Sequence, residues 1–144
     1  MRNIIFLAVI ITLFATACKK NNNNGSSCTT NAASIAGAYK ITGVTYKANV
    51  TSTEMDYFNI LFPDACERDN VYTFQTNGTY QLKDAGKACS PAADNNGTWS
   101  VSGNTMLTDG DANTIESFNC KTLILVNTDT QTPGDKLKLT LTKQ

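Results

Sequence analysis

The sequence contains no histidine. That removes the commonest general base, the commonest transition-metal ligand and the usual partner of a serine or cysteine nucleophile. No Cys-x-x-Cys spacing occurs, so neither a zinc ribbon nor a thiol redox site has support. Charge is sparse and balanced, with 12 Lys and Arg against 12 Asp and Glu. Nucleic acid calls for a basic patch, and a chain of formal net charge zero has no surplus from which to build one. Glutamate is scarce and threonine abundant, a bias away from helix and toward strand. The paired carboxylates Asp109/Asp111 and Glu67/Asp69 are accounted for by surface turns. No catalysis, no cofactor and no metal centre is expected. A length of 144 residues suits one domain.

What is present begins with an address. Arg2 supplies a short positive region, and residues 4–14 form an apolar run broken only by Thr12. The run is too short for a spanning helix of ~20 residues. Small residues Ala15-Thr16-Ala17 stand directly before Cys18, and the arrangement resembles the lipobox of bacterial lipoproteins. The resemblance implies cleavage before Cys18 and fatty acyl chains, palmitate among them, on its sulfur and new amino group. It also implies a lipid anchor in the bacterial cell envelope, at the outer membrane. Cleavage would leave the mature chain at a net charge of minus one. Residues 19–27, Lys-Lys followed by Asn, Gly and Ser, hold nothing apolar to bury and are expected to be a flexible tether. The expected division is a signal peptide at 1–17, the lipidated cysteine and tether at 18–33, and a folded domain at 34–144.

Setting Cys18 aside leaves Cys28, Cys66, Cys89 and Cys120. An even number in an exported chain points to disulfides, and four cysteines allow three connectivities. Cys66 and Cys89 flank one hairpin, so the expected pairs are Cys66 with Cys89 and Cys28 with Cys120.

The domain reads as a succession of short alternating strands. Gly37-Ala38-Tyr39-Lys40-Ile41-Thr42-Gly43-Val44-Thr45-Tyr46 is the first, with Gly43 marking a bend or bulge. Thr51-Ser52-Thr53-Glu54 has the spacing of a capping box, and Met55, Phe58, Leu61 and Phe62 follow at helical spacing before Pro63. This predicts one short helix across a barrel end. Strands at 71–75 and 79–83 meet at Asn77-Gly78, a dipeptide that accepts positive φ at both central positions of a tight turn. Further strands are expected at 98–102, 105–108, 115–118, 121–127 and 136–142. Asp109-Gly110-Asp111-Ala112-Asn113 carries the first three ligand positions of a calcium loop, but Thr114 and Cys120 stand where Gly and the closing Glu belong. An acidic hairpin turn is the expectation there.

About eight evenly spaced strands and one short helix predict an all-β, antiparallel up-and-down barrel, with a β-sandwich as the alternative. The chain resembles the lipocalin-like domain family of bacterial surface lipoproteins. The resemblance rests on Gly37-Ala38-Tyr39, Cys66-Glu67-Arg68-Asp69-Asn70, Tyr72-Thr73-Phe74, Asn77-Gly78-Thr79-Tyr80, Cys89 and Gly97-Thr98-Trp99-Ser100-Val101, and it covers most of residues 35–144. It implies a calyx-like barrel able to hold a small apolar ligand, and no catalytic residues. Tyr39, Tyr72, Phe74, Tyr80, Trp99, Leu137, Leu139 and Leu141 would line the interior or fill it as core. The alternative function is a monomeric structural module, with a filled core and a surface that meets protein or glycan. Any site is expected at the barrel mouth near the Cys66 stretch.

Overall fold

The computed structural model describes residues 28–144. The signal segment, Cys18 and the run 19–27 lie outside the described residues. Nine strands and two one-turn helices follow in the order α1 (Ala32–Ile35), β1 (Gly37–Lys47), β2 (Met55–Asp56), α2 (Phe58–Leu61), β3 (Val71–Phe74), β4 (Thr79–Lys83), β5 (Asn95–Ser102), β6 (Thr105–Thr108), β7 (Asp111–Phe118), β8 (Thr122–Thr128) and β9 (Lys136–Lys143). All pairings are antiparallel. Strands β3 to β9 pair in sequence, and β1 pairs with both β3 and β9, so eight strands close into a ring. That is the up-and-down barrel, closed through β1. The sandwich alternative falls with it.

The ninth strand, β2, was expected to be helix. Met55 and Asp56 instead pair with Tyr46 and Thr45 at the end of β1. The capping box expected at Thr51 does not form. Asn49 Oδ1 takes the N–H groups of Thr51 and Ser52, which makes a turn, and Glu54 accepts from Thr45 across the ladder. Apolar residues three and four apart are shared by a helix and by a loop whose side chains all seek one core, so periodicity alone misled here. Helical structure survives only at Phe58–Leu61. A genuine capping box lies earlier. Asn31 Oδ1 accepts from Ser34 N at 2.9 Å, and Ser34 Oγ accepts from Asn31 N at 3.3 Å, opening α1.

The turns show how local chemistry sets register. Asp109-Gly110 has φ of 53° and 94°, the two positive values of a type I′ turn, which suits the right-handed strand twist. This is the acidic stretch that resembled a calcium loop, and Asp111–Asn113 belong to β7. Asn77-Gly78 behaves differently from expectation, since only Gly78 has positive φ, at 86°. Gly78 N donates to Gln75 O and Gln75 N to Thr79 O, a three-residue loop closed by a glycine bulge. Asn77 spends its side chain on Thr79 N and Thr79 Oγ1 rather than on a left-handed backbone.

The barrel has two unlike ends. At one lie α1, the start of β1, the end of β9 and the short turns after β3, β5 and β7. Ile35, fully buried, plugs this end and its carbonyl accepts the Tyr39 hydroxyl at 2.7 Å. Tyr39, Phe74, Tyr80 and Trp99 stack above it, with Phe74 centred 5.1 Å from Trp99 and 5.9 Å from both tyrosines. Met106, Leu123, Leu125, Ile115, Ile41, Val44 and Leu141 complete the packed interior. The far end carries the longer connections 48–54, 57–70, 84–94 and 129–135. Cys66 is joined to Cys89 there, and Cys28 to Cys120 at the α1 end.

Candidate functional site

The far end combines apolar side chains that are only half-buried with one buried carboxylate, Asp135, and others that gather the loops. Alternation along β3, β4 and β9 sends Tyr72, Leu82, Leu137 and Leu139 inward at this end, where each remains partly buried against the core. Of the eight residues expected to face the interior, Tyr39, Phe74, Tyr80, Trp99 and Leu141 are buried core. Tyr72, Leu137 and Leu139 are partly buried and pack against that core.

The wall is incomplete between β1 and β3. One side of β1 pairs with β3 at Gly37, Ala38 and Tyr39 and with β2 at Thr45 and Tyr46. Between these two ladders the neighbouring cover is α2 and its flanks. Tyr57 N donates to Val44 O at 2.9 Å, and Tyr57, Phe58 and Phe62 pack onto the core. Arg68 holds this cover from behind, its Nε donating to Phe62 O at 2.8 Å and its Nη2 to Pro63 O at 2.6 Å. The charged run Glu67-Arg68-Asp69 is therefore a clasp on a loop.

Carboxylates that collect N–H and hydroxyl donors organise the rest. Asp135 has no exposure and takes N–H groups from Thr130, Gln131 and Thr132 and the hydroxyl of Tyr46 at 3.0 Å. Burial by itself would raise its pKa. The three N–H groups and the phenol outweigh that and hold the carboxyl well below the usual range. Asp109 receives the Tyr80 hydroxyl at 2.6 Å and Thr98 N at 2.8 Å. The phenol, then the N–H, lowers the Asp109 pKa, while that bond and burial push Tyr80 up to about 12. Gly97 makes the pair possible, because a Cβ there would collide with both the Asp109 carboxylate and the Tyr80 ring. Asp84 Oδ2 accepts from Cys89 N and Ala93 N and so shapes the 84–94 connection. None of these roles was read from the sequence. Asp135 follows Pro133-Gly134 in a turn and carries no mark that separates it from a solvated aspartate.

Two shallow concavities lie outside the barrel. One groove, about 200 Å³, runs over the outer face of β1, β8 and β9 and is lined by Lys47, Glu54, Glu116, Val126, Lys136 and Lys138. Lys138 Nζ reaches Glu54 at 3.3 Å and Glu116 at 3.2 Å. These exposed pairs contribute little, and they leave the groove nearly balanced in charge. Val50, Met55, Ile60 and Leu61 are exposed on and beside β2 and α2. Among the described residues no three His, Cys, Asp or Glu side chains converge as a metal site, and no helix is long and apolar enough to cross a membrane.

A family model, the lipocalin-like domain, matches residues 35–128. That span runs from Ile35 at the plugged end through β8 and takes in most of the ring. No curated protein and no solved structure matches the chain.

Proposed function

The chain belongs to the lipocalin-like domain family, and on that premise we propose a lipid-anchored envelope protein that binds a small hydrophobic molecule at the far end of its barrel. The observation that carries this is the band of half-buried Tyr72, Leu82, Leu137 and Leu139 beside the Phe58 and Phe62 cover. Such a band offers apolar area that a ligand would remove from water, at roughly 25 cal/mol per Å². The α1 end is filled by its own aromatics, so the ligand sits shallowly and its apolar part is short. No step of chemistry is assigned, and the reading is of a binder without catalysis. Anchoring rests on Cys18, in the outer membrane of a bacterial envelope. The tether then reaches the barrel at Cys28, bonded to Cys120 at the plugged end, and the binding end faces away from the bilayer.

Isothermal titration against a panel of fatty acids and retinoids tests the binding reading. Saturable binding that is lost in Leu139→Gln supports it, and no heat with any member of the panel removes it. Labelled fatty acid should be incorporated by the wild type and not by Cys18→Ala. A second reading, a module that acts through its surface, draws on the exposed Val50 and Ile60, at 77% and 60%. Retention of an envelope partner by the wild type and its loss in Val50→Ser/Ile60→Ser, with no ligand heat, would favour that reading.

A further inference from the structure

Three acceptor oxygens at the far end are buried and have no hydrogen-bond donor: Asp69 Oδ1, Asn70 Oδ1 and Asp84 Oδ1. The strand register and the loop contacts bring their residues together. Val71 pairs with Lys83 at the end of the β3–β4 ladder, so Asn70 and Asp84 stand opposite each other one step beyond it. Alternation continues the inward face from Phe74 and Tyr72 to Asn70, and from Tyr80 and Leu82 to Asp84. Asn70 is 7% exposed. Asp69 adjoins it, and its other oxygen accepts Lys87 N at 2.8 Å from the same connection that Asp84 shapes. Gly86, at φ 64°, passes so close that a Cβ would strike the Asp69 carboxylate. The Cys66–Cys89 disulfide ties the two segments that supply these oxygens.

A buried acceptor without a donor costs about 1–3 kcal/mol, and more when it is charged. Water can supply donors, and a cation can take the place of one. The ion pairs among the described residues are those of Lys138, on the outer face, and Arg68 is committed to Phe62 and Pro63. No cationic side chain meets either carboxylate. We propose that Asp69, Asn70 and Asp84 bind a divalent cation, calcium in preference to magnesium, at the rim of the binding end. Two carboxylates neutralise its charge, the carboxamide oxygen adds a neutral ligand, and water completes the shell. Calcium accepts such irregular all-oxygen sets, whereas magnesium demands near-ideal octahedral geometry. The site lies apart from the Asp109–Asn113 stretch that resembled a calcium loop, and it stands whether or not the barrel takes an apolar ligand.

The test is calorimetric, on the full chain, with CaCl2 or MgCl2 against EDTA. At about 5 mM calcium and a dissociation constant typical of extracellular sites, Tm should rise by roughly 5–10 °C, with a smaller rise in magnesium. Titration should show one calcium per chain. Asn70→Leu, close in size, should keep the metal-free Tm or raise it, because it deletes an orphaned acceptor, and should abolish the calcium-dependent rise. Asp69→Asn, which retains an acceptor for Lys87 N, should weaken calcium binding at least tenfold. A wild-type Tm unmoved by calcium overturns the proposal. So does a calcium response that persists in both variants, and so does a large fall in metal-free Tm for Asn70→Leu with the response intact, which would mean ordered water alone.

Discussion

The α1 end and the far end of this barrel are held by different physics. At the α1 end the adhesive is contact: Ile35 as plug, three aromatics each centred within 6 Å of Phe74, and hydrogen bonds that only finish polar tips, such as Trp99 Nε1 to Gln75 O at 2.8 Å. At the far end, loops too long to pack by themselves are gathered by single carboxylates that accept several N–H groups each. Contact of the first kind fails gradually and is insensitive to acid. The second kind fails when one group is protonated or removed. The lesson is that a small barrel can keep one end closed and the other adaptable by changing the kind of bond, with the sheet unbroken between them.

The sharpest way to break the contrast is at Phe74, which touches Tyr39, Tyr80 and Trp99. Phe74→Ala should cost about 4 kcal/mol in urea unfolding. A cost below that of an average surface change would mean the aromatic stack is not the main support of its end. Next comes the staple. Removing the Cys66–Cys89 bond as a double alanine variant should cost about 3 kcal/mol by loop entropy, read by the same method, and should loosen residues 57–70 and 84–94 in hydrogen exchange before it loosens β7 to β9.

Asp135→Ala should lower Tm by roughly 10 °C, because three N–H groups and the Tyr46 hydroxyl lose their acceptor in a fully buried place. The pH dependence follows from the same group together with Asp109. Both have folded pKa values below their unfolded ones. Their contribution is therefore present above about pH 4 and is lost as pH falls through the unfolded and then the folded values. Acid melting should begin at the far end, and Asp135→Ala should flatten the acid limb. Tyr39 and Tyr80, pushed up to about 12, act in the opposite direction. Their contribution is complete below about pH 10 and fades as pH rises toward 12. The smallest effect expected is Gly110→Ala, about 1 kcal/mol, since φ of 94° suits only glycine and nothing else crowds the position.

The same contrast explains what could be read in advance. The barrel wall and the packed interior behind it are written in alternation: Tyr72/Phe74, Tyr80/Leu82 and Trp99/Val101 each put an apolar pair on one face, and that pattern gives strands and barrel directly. The far end is written in single polar residues whose partners are distant in sequence. Tyr46 meets Asp135 across 89 positions, and no local pattern announces it. The segment 51–62 lay between these cases. Its apolar spacing was real, but the spacing served a strand pair and a loop cover, with only one helical turn. The side chains expected as lining divided by height in the barrel, a property that depends on strand stagger and the bulge between Ile41 and Gly43. Asp69, Asn70 and Asp84 stayed invisible because their distinction is the absence of a donor, which only the folded surroundings define.

One feature has a mechanical side. The Cys28–Cys120 bond fastens the chain, just ahead of α1, to the turn between β7 and β8. A pull on the backbone upstream of Cys28 therefore bypasses Asn31 and the single turn of α1, and it cannot peel β1 away from its neighbours. The load enters at Cys120 and spreads into β7 and β8, whose ladders to β6 and β9 must shear together. Oxidised, the protein should resist stretching from its N-terminal side as a closed ring. Reduced, it should unravel from α1 one element at a time.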